Sequence, residues 1–168
     1  MRTKPTPIDR EKTFSDDEII VSKTDTKGVI TYGNELFIQM SGYEEEELLG
    51  APHNLIRHPD MPRSVFKLLW DTLATGTEIF AYVKNLAKDG SYYWVLANVT
   101  CSYDLNGQVI GYHSVRRKPA KSALEKVIPL YASMLQAEKQ GGMEAGTRLL
   151  VKLLEENGTT YEELVLSL

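Results

Sequence analysis

Cysteine is nearly missing from this chain: Cys101 stands alone among 168 residues. It cannot form an internal disulfide, no Cys-rich zinc spacing exists, and the usage fits a reducing cytoplasm. Long apolar runs are missing as well. The longest are clusters such as Leu149-Leu150-Val151, far short of a membrane span. The opening Met1-Arg2-Thr3-Lys4-Pro5 holds nothing like the apolar core of a secretory signal. Positive charge is not in excess: 19 Lys and Arg against 23 Asp and Glu leave a net charge of −4, the wrong sign for a nucleic-acid footprint. Walker loops, G-x-G-x-x-G elements, paired-carboxylate motifs and Ser-His-Asp arrangements are all lacking, so an enzyme is not expected.

What is present suits one globular domain with an appendage, at 42% hydrophobic and 25% charged residues. Residues 1–17 are polar, carry Pro5 and Pro7, and read as a loosely held N-terminal arm. Residues 18–24 and 29–32, either side of Asp25-Thr26-Lys27-Gly28, read as strand, tight turn and strand. A short helix over 35–40 stops at Gly42, and a second, behind Glu44-Glu45-Glu46-Glu47, ends at Gly50. Pro62 suits the first position of an amphipathic helix whose stripe is Val65, Phe66, Leu69, Trp70 and Leu73. Three strands follow over 78–86, 91–103 and 108–116, joined through Lys88-Asp89-Gly90 and Asn106-Gly107, both hairpin signals.

That order is not an alternating βαβ pattern. It predicts an α+β fold: a five-stranded antiparallel sheet with helices gathered on one face and a cavity between the two. Residues 119–168 read as a helical tail. Leu124, Ile128, Tyr131 and Leu135 form its first stripe, Gly141-Gly142 break it, and a second helix ends at Asn157-Gly158. Thr160-Tyr161-Glu162-Glu163 is a capping box opening a last short helix.

Residues 52–62 pack three prolines, two histidines, Asn54, Arg57 and Asp60 into one segment. Each proline fixes φ and pushes the preceding residue out of the helical region, so the segment reads as a stiff, kinked connector presenting polar groups. Arg57 carries a fork of donors suited to a phosphate or a ring carbonyl. Asp60 suits either a ligand amine or hydroxyl, or the cap of the helix near Pro62. His58 reads equally as a ring neighbour or as a loop histidine bonded to backbone. On the strand from Tyr93 to Val99, alternation puts Tyr93, Val95, Ala97 and Val99 on one face, a wall fit for a planar ligand. Trp94, Leu96 and Asn98 take the other face, for the arm, the tail or a partner subunit. Asn85 lies among apolar neighbours, where an amide is costly unless paired; a ligand edge or a hairpin contact would satisfy it. His113 alternates with Gly111 and Val115 and is expected to point into the cavity.

This layout resembles a Per-Arnt-Sim (PAS) sensory domain over about residues 18–118. Its motifs are similar to those of the flavin-binding PAS domains of bacterial aerotaxis receptors. They are Tyr32-Gly33-Asn34, Ser41-Gly42-Tyr43, Pro52-His53-Asn54 continuing to Arg57-His58-Pro59-Asp60-Met61-Pro62, Trp70, Val83-Lys84-Asn85, Tyr93-Trp94-Val95 and Gly111-Tyr112. The resemblance implies non-covalent FAD whose redox state reports oxygen or respiratory status to a signalling protein supplied in trans. It implies cofactor contacts at Asn34, Arg57, His58, Asp60, Asn85 and Tyr93; Trp70, Val95 and His113 join them as candidate contacts, His113 at a position where the family more usually carries a non-titrating residue. Ile79-Phe80 departs from the tryptophan the family tends to carry there, and no methyl-accepting coiled coil follows. Photoactive flavin PAS domains carry an Asn-Cys-Arg-Phe-Leu type motif. Here Asn54-Leu55-Ile56-Arg57 has no cysteine, so adduct chemistry is not expected. Two rivals stay open: a haem-binding gas sensor using His53, His58 or His113, and a cofactor-free dimerisation module. The stripe on the tail needs a surface to cover it, either its own sheet or a second copy in a homodimer.

Overall fold

The structure is a computed structural model describing residues 3–168. Five strands, β1 (Ile20–Thr24), β2 (Ile30–Gly33), β3 (Ile79–Leu86), β4 (Tyr92–Tyr103) and β5 (Val109–Arg117), form one antiparallel sheet in the order β2-β1-β5-β4-β3. The first and last strands are central neighbours, with Ser22 opposite Ser114 and Val21 opposite Val115. The helices α1 (Glu35–Ser41), α2 (Glu45–Leu48) and α3 (Arg63–Ala74), with one 3₁₀ turn over His53–Ile56, fill the long link from β2 to β3. They cover one face of the sheet, as the α+β reading expected.

Asn34 fastens α1 to the sheet. Its Oδ1 accepts from Phe37 N and from Val21 N, both at 3.0 Å, while its Nδ2 donates to Ile19 O at 2.8 Å. One amide thus caps a helix start and ties it to β1. Gly42, at φ 73, turns the chain out of α1, a conformation that costs a glycine little. Pro62 occupies the cap position of α3 rather than its first helical turn, and it has no side chain to offer the helix N–H groups.

The arm is not loose. Ile8 N donates to Gly90 O at 2.9 Å, Lys12 N to Tyr92 O at 2.7 Å, and Tyr92 N to Arg10 O at 3.0 Å. β5 ends at Arg117, opposite Leu96, which leaves the first residues of β4 open on that side. The arm fills this lane because backbone groups there need partners.

The tail consists of α4 (Lys121–Glu156) and α5 (Tyr161–Leu166). α4 leaves helical geometry at Gly141 and Gly142, where the sequence placed the break. Its first half buries Ala123, Val127, Tyr131 and Met134, while Ile128 is exposed. The expected stripe is therefore rotated by one residue, with Tyr131 common to both. Tyr131 sets the rotation: its ring packs on Trp94 with centroids 6.1 Å apart, and its hydroxyl donates to Tyr82 O at 2.6 Å. The tail thus covers the outer face of its own sheet, one of the alternatives the sequence left open for the Trp94 face. Among the described residues no helix is long and apolar enough to cross a membrane.

Candidate functional site

A cavity of about 370 Å³ lies between the sheet and its helical cover, within the size range of small-molecule sites. From the sheet, β3 contributes Val83 and Asn85, β4 contributes Ala97 and Val99, and β5 contributes Tyr112, Ser114 and Arg116. The opposite wall is His53, Ile56 and Arg57 around the 3₁₀ turn, with Phe66, Leu69 and Trp70 from α3. Two largely apolar walls therefore face one another across a polar floor.

That floor is built around Arg116, which is 2% exposed. Its Nη2 donates to Ser22 Oγ at 2.5 Å, and its guanidinium lies 4.7 Å from the Phe37 ring centroid. Its Nε and Nη1 have no hydrogen-bond partner. Burial lowers its pKa to about 10. Ser22 Oγ also lies 3.0 Å from His53 Nε2. Since Arg116 can only donate, Ser22 accepts from it, and the direction of the Ser22–His53 contact follows the imidazole tautomer. The imidazole stacks on Phe37, 6.0 Å between centroids at 12°. Burial first, and the Arg116 charge second, push the His53 pKa down to about 3, so the ring is neutral near pH 7.

Asn85 is buried and its Nδ2 has no partner. Tyr93, directly opposite Asn85 in the sheet, is wholly enclosed. Burial pushes its phenol up to about 12, with Arg116 and the Asn85 amide as counteracting neighbours. Asn85 is thus near the hydroxyl without closing a hydrogen bond to it. At the mouth, the Arg57 guanidinium lies 4.0 Å from the Phe66 ring centroid. Arg57 also borders a second groove lined by Lys4, His58, Arg63 and Glu138. Trp70, 43% exposed, meets Tyr112 edge-on at 5.1 Å.

Of the residues singled out from sequence, Arg57, Trp70 and Asn85 border the cavity together. Tyr93 and Val95 have the inward parity but are wholly enclosed in the core beside it. His58 is buried, and its Nδ1 accepts from Asp60 N at 3.0 Å. Burial and then Lys84 lower its pKa to about 4. The Asp60 carboxylate takes Lys84 Nζ at 2.8 Å and does not cap α3. His58 faces the second groove, and Asn34 serves the backbone.

His113 does not point into the cavity. Tyr112, Ser114 and Arg116 have the inward parity on β5, so His113 takes the opposite face, beside Lys23 and Thr100. The expectation failed because it took Gly111 and Val115 as the inward set. The pairing of Ser22 with Ser114, both on the cavity wall, fixes the other parity. Arg116 was missed altogether. Its signal was a charge two residues beyond Ser114 in an otherwise uncharged inward row.

Residues 30–116 match the family model described as PAS fold. Over 134 residues the chain is 38% identical to the aerotaxis receptor of Escherichia coli (strain K12), covering 80% of this chain and 26% of that protein. It is 27% identical over 120 residues to the nitrogen fixation regulatory protein of Klebsiella pneumoniae, covering 71% of this chain and 24% of that one. It therefore spans about a quarter of the length of these curated relatives. Among solved structures, the light state of the blue-light photoreceptor Aureochrome1 LOV matches with a TM-score of 0.58 at 23% identity, over 66% of this chain and 88% of that one, a likeness of fold. The family match runs from the first residue of β2 to Arg116 and takes in the helical cover and all of the cavity wall except Ser22, Thr24, Lys27 and Gly28, so this chain belongs to the PAS fold family.

Proposed function

We propose that this chain is a flavin-binding PAS sensor that holds FAD non-covalently in the cavity and reports redox or oxygen status to a signalling protein in trans. The observation that carries this reading is the Asn85 amide, buried at the cavity wall with Nδ2 unpartnered. An unsatisfied buried donor costs about 1–3 kcal/mol, and a planar ring with a carbonyl-bearing edge would satisfy it. Val83, Ala97 and Val99 on one side, with Ile56, Phe66 and Leu69 on the other, suit the two flat faces of such a ring. Arg57 at the mouth, with Lys4 and Arg63 along the adjoining groove, supplies cationic donors for the phosphates of a dinucleotide. The residues present thus fit the group.

A bound flavin supplies reversible electron transfer. This chain's residues would bind the ring, screen it from water and feel its change of charge. Their response would reach the tail through α3, whose N-terminus rests on α4, and leave by contact with the partner. The same reading expects a cytoplasmic protein acting as a homodimer. The kinship to a protein named as an aerotaxis receptor supports oxygen or energy status as the input. Haem is less well served. His53 is the histidine bordering the cavity, its Nε2 is engaged with Ser22, and His113 lies on the far face.

The test is the absorption spectrum of purified protein, before and after addition of FAD. Flavin bands bleached by dithionite are expected. A Soret band would put haem in their place, and a colourless protein that takes up no FAD would leave the interaction-module reading.

A further inference from the structure

Arg116 carries a full charge at the floor of the cavity with no carboxylate beside it among the described residues. The groups that face it are neutral: Ser22 from β1, the Phe37 ring from α1, the Tyr93 phenol from β4, and His53 through Ser22. A guanidinium withdrawn from water is costly without an acceptor. Here Nε and Nη1 are both open; each shares an edge of the guanidinium with Nη2, and whichever Nη2 hydrogen Ser22 takes, one planar two-donor edge stays free. The nearby open nitrogen, Asn85 Nδ2, is a donor as well. A site whose free groups donate calls for a ligand edge rich in acceptors.

We propose that Arg116 is the residue that sets the ligand's orientation, its fork engaging an edge with two adjacent acceptors and drawing negative charge to the cavity floor. The assignment rests on the flavin reading above and deepens it. On an isoalloxazine, N1 and the C2 carbonyl form such an edge, whereas the N3 side interposes a donor. A bidentate fork on paired acceptors is the geometry at which arginine binds best. The ring would therefore enter with its pyrimidine end toward β5, and Asn85 would meet the same end from β3.

The experiment compares apoprotein affinity for FAD and for 1-deaza-FAD, in which a C–H replaces the N1 acceptor, in wild type, Arg116→Gln and Arg116→Lys. A hydrogen bond to a charged donor is worth roughly 1.5–3 kcal/mol. Wild type should therefore bind the deaza analogue about tenfold or more less tightly. Arg116→Gln should bind FAD more weakly and lose most of that discrimination, while Arg116→Lys should retain part of it. Equal affinity of wild type for the two ligands overturns the assignment, and that comparison stands even if Arg116→Gln does not fold. Discrimination that survives unchanged in a folded Arg116→Gln overturns it too. Wild type that binds neither flavin removes the flavin reading, and this assignment with it.

Discussion

Glu138, in the tail, closes the N-terminus of α3 through Ser64. Its Oε1 accepts from Ser64 N at 2.8 Å and from Ser64 Oγ at 2.7 Å, and its Oε2 accepts from Arg63 N at 3.1 Å. Pro62, at the cap position, has no side chain for this task, so the acceptor comes from another helix. A carboxylate there also opposes the positive end of the helix dipole. Gly146 passes so close that an added Cβ would sit 2.6 Å from Ser64 Oγ and 2.8 Å from Glu138. Both halves of α4 therefore meet at the start of the helix that supplies Phe66, Leu69 and Trp70 to the cavity.

Replacing Glu138 with Ala should destabilise the fold by about 1–3 kcal/mol, the loss of a cap together with buried donors left open. Urea unfolding measures it. A double-mutant cycle with Ser64→Ala should show a coupling energy, since the two side chains are in direct contact. A Glu138→Ala midpoint within a few tenths of a molar of wild type would mean that water replaces the carboxylate without loss.

The tail should be required to keep the outer sheet face covered. Tyr131 packs on Trp94 and bonds Tyr82 O, and the Tyr82 hydroxyl lies 3.4 Å from Val165 O. Deleting residues 121–168 should shift the emission of Trp94, now 7% exposed, to the red. The truncated chain should also associate beyond the state of the full-length protein in light scattering, because an uncovered apolar sheet face seeks a partner. A monomer with unchanged emission would contradict this packing.

The succession of strands along the chain, the helical cover and the tail break could be read from the sequence because each rests on a local signal. Gly42 ends a helix, Asn106-Gly107 turns a hairpin, and Gly141-Gly142 interrupts α4. The site was only partly legible. Arg57, Trp70 and Asn85 fell in motifs with an evident chemical purpose. His113 and Arg116 exchange roles on a question of strand parity, which depends on the long-range pairing of β1 with β5. Glu138 could not be found from sequence at all. A glutamate on an amphipathic helix reads as solvated, and its meeting with Ser64 is decided by how α4 crosses α3.

The fold should lose stability in mild acid, and His53 should account for much of the loss. Burial, with Arg116 close by, lowers its pKa from 6.5 to about 3, and His58 is lowered to about 4. Between those values and 6.5 the unfolded chain binds more protons than the folded one, so stability rises with pH across that window. It therefore falls as pH drops through 6.5, by up to about 1.4 kcal/mol per pH unit for His53. Urea unfolding of the apoprotein at pH 7.5, 6.5, 5.8 and 5.0 should show a steady decline below 6.5, and His53→Gln should roughly halve its slope, with His58 supplying the remainder. A wild-type profile level from 7.5 to 5.0 would mean that the folded imidazole takes up its proton at the same pH as the unfolded one and is charged at pH 5.0. Ser22 Oγ would then accept from both His53 and Arg116, and two cations would share the floor of the cavity.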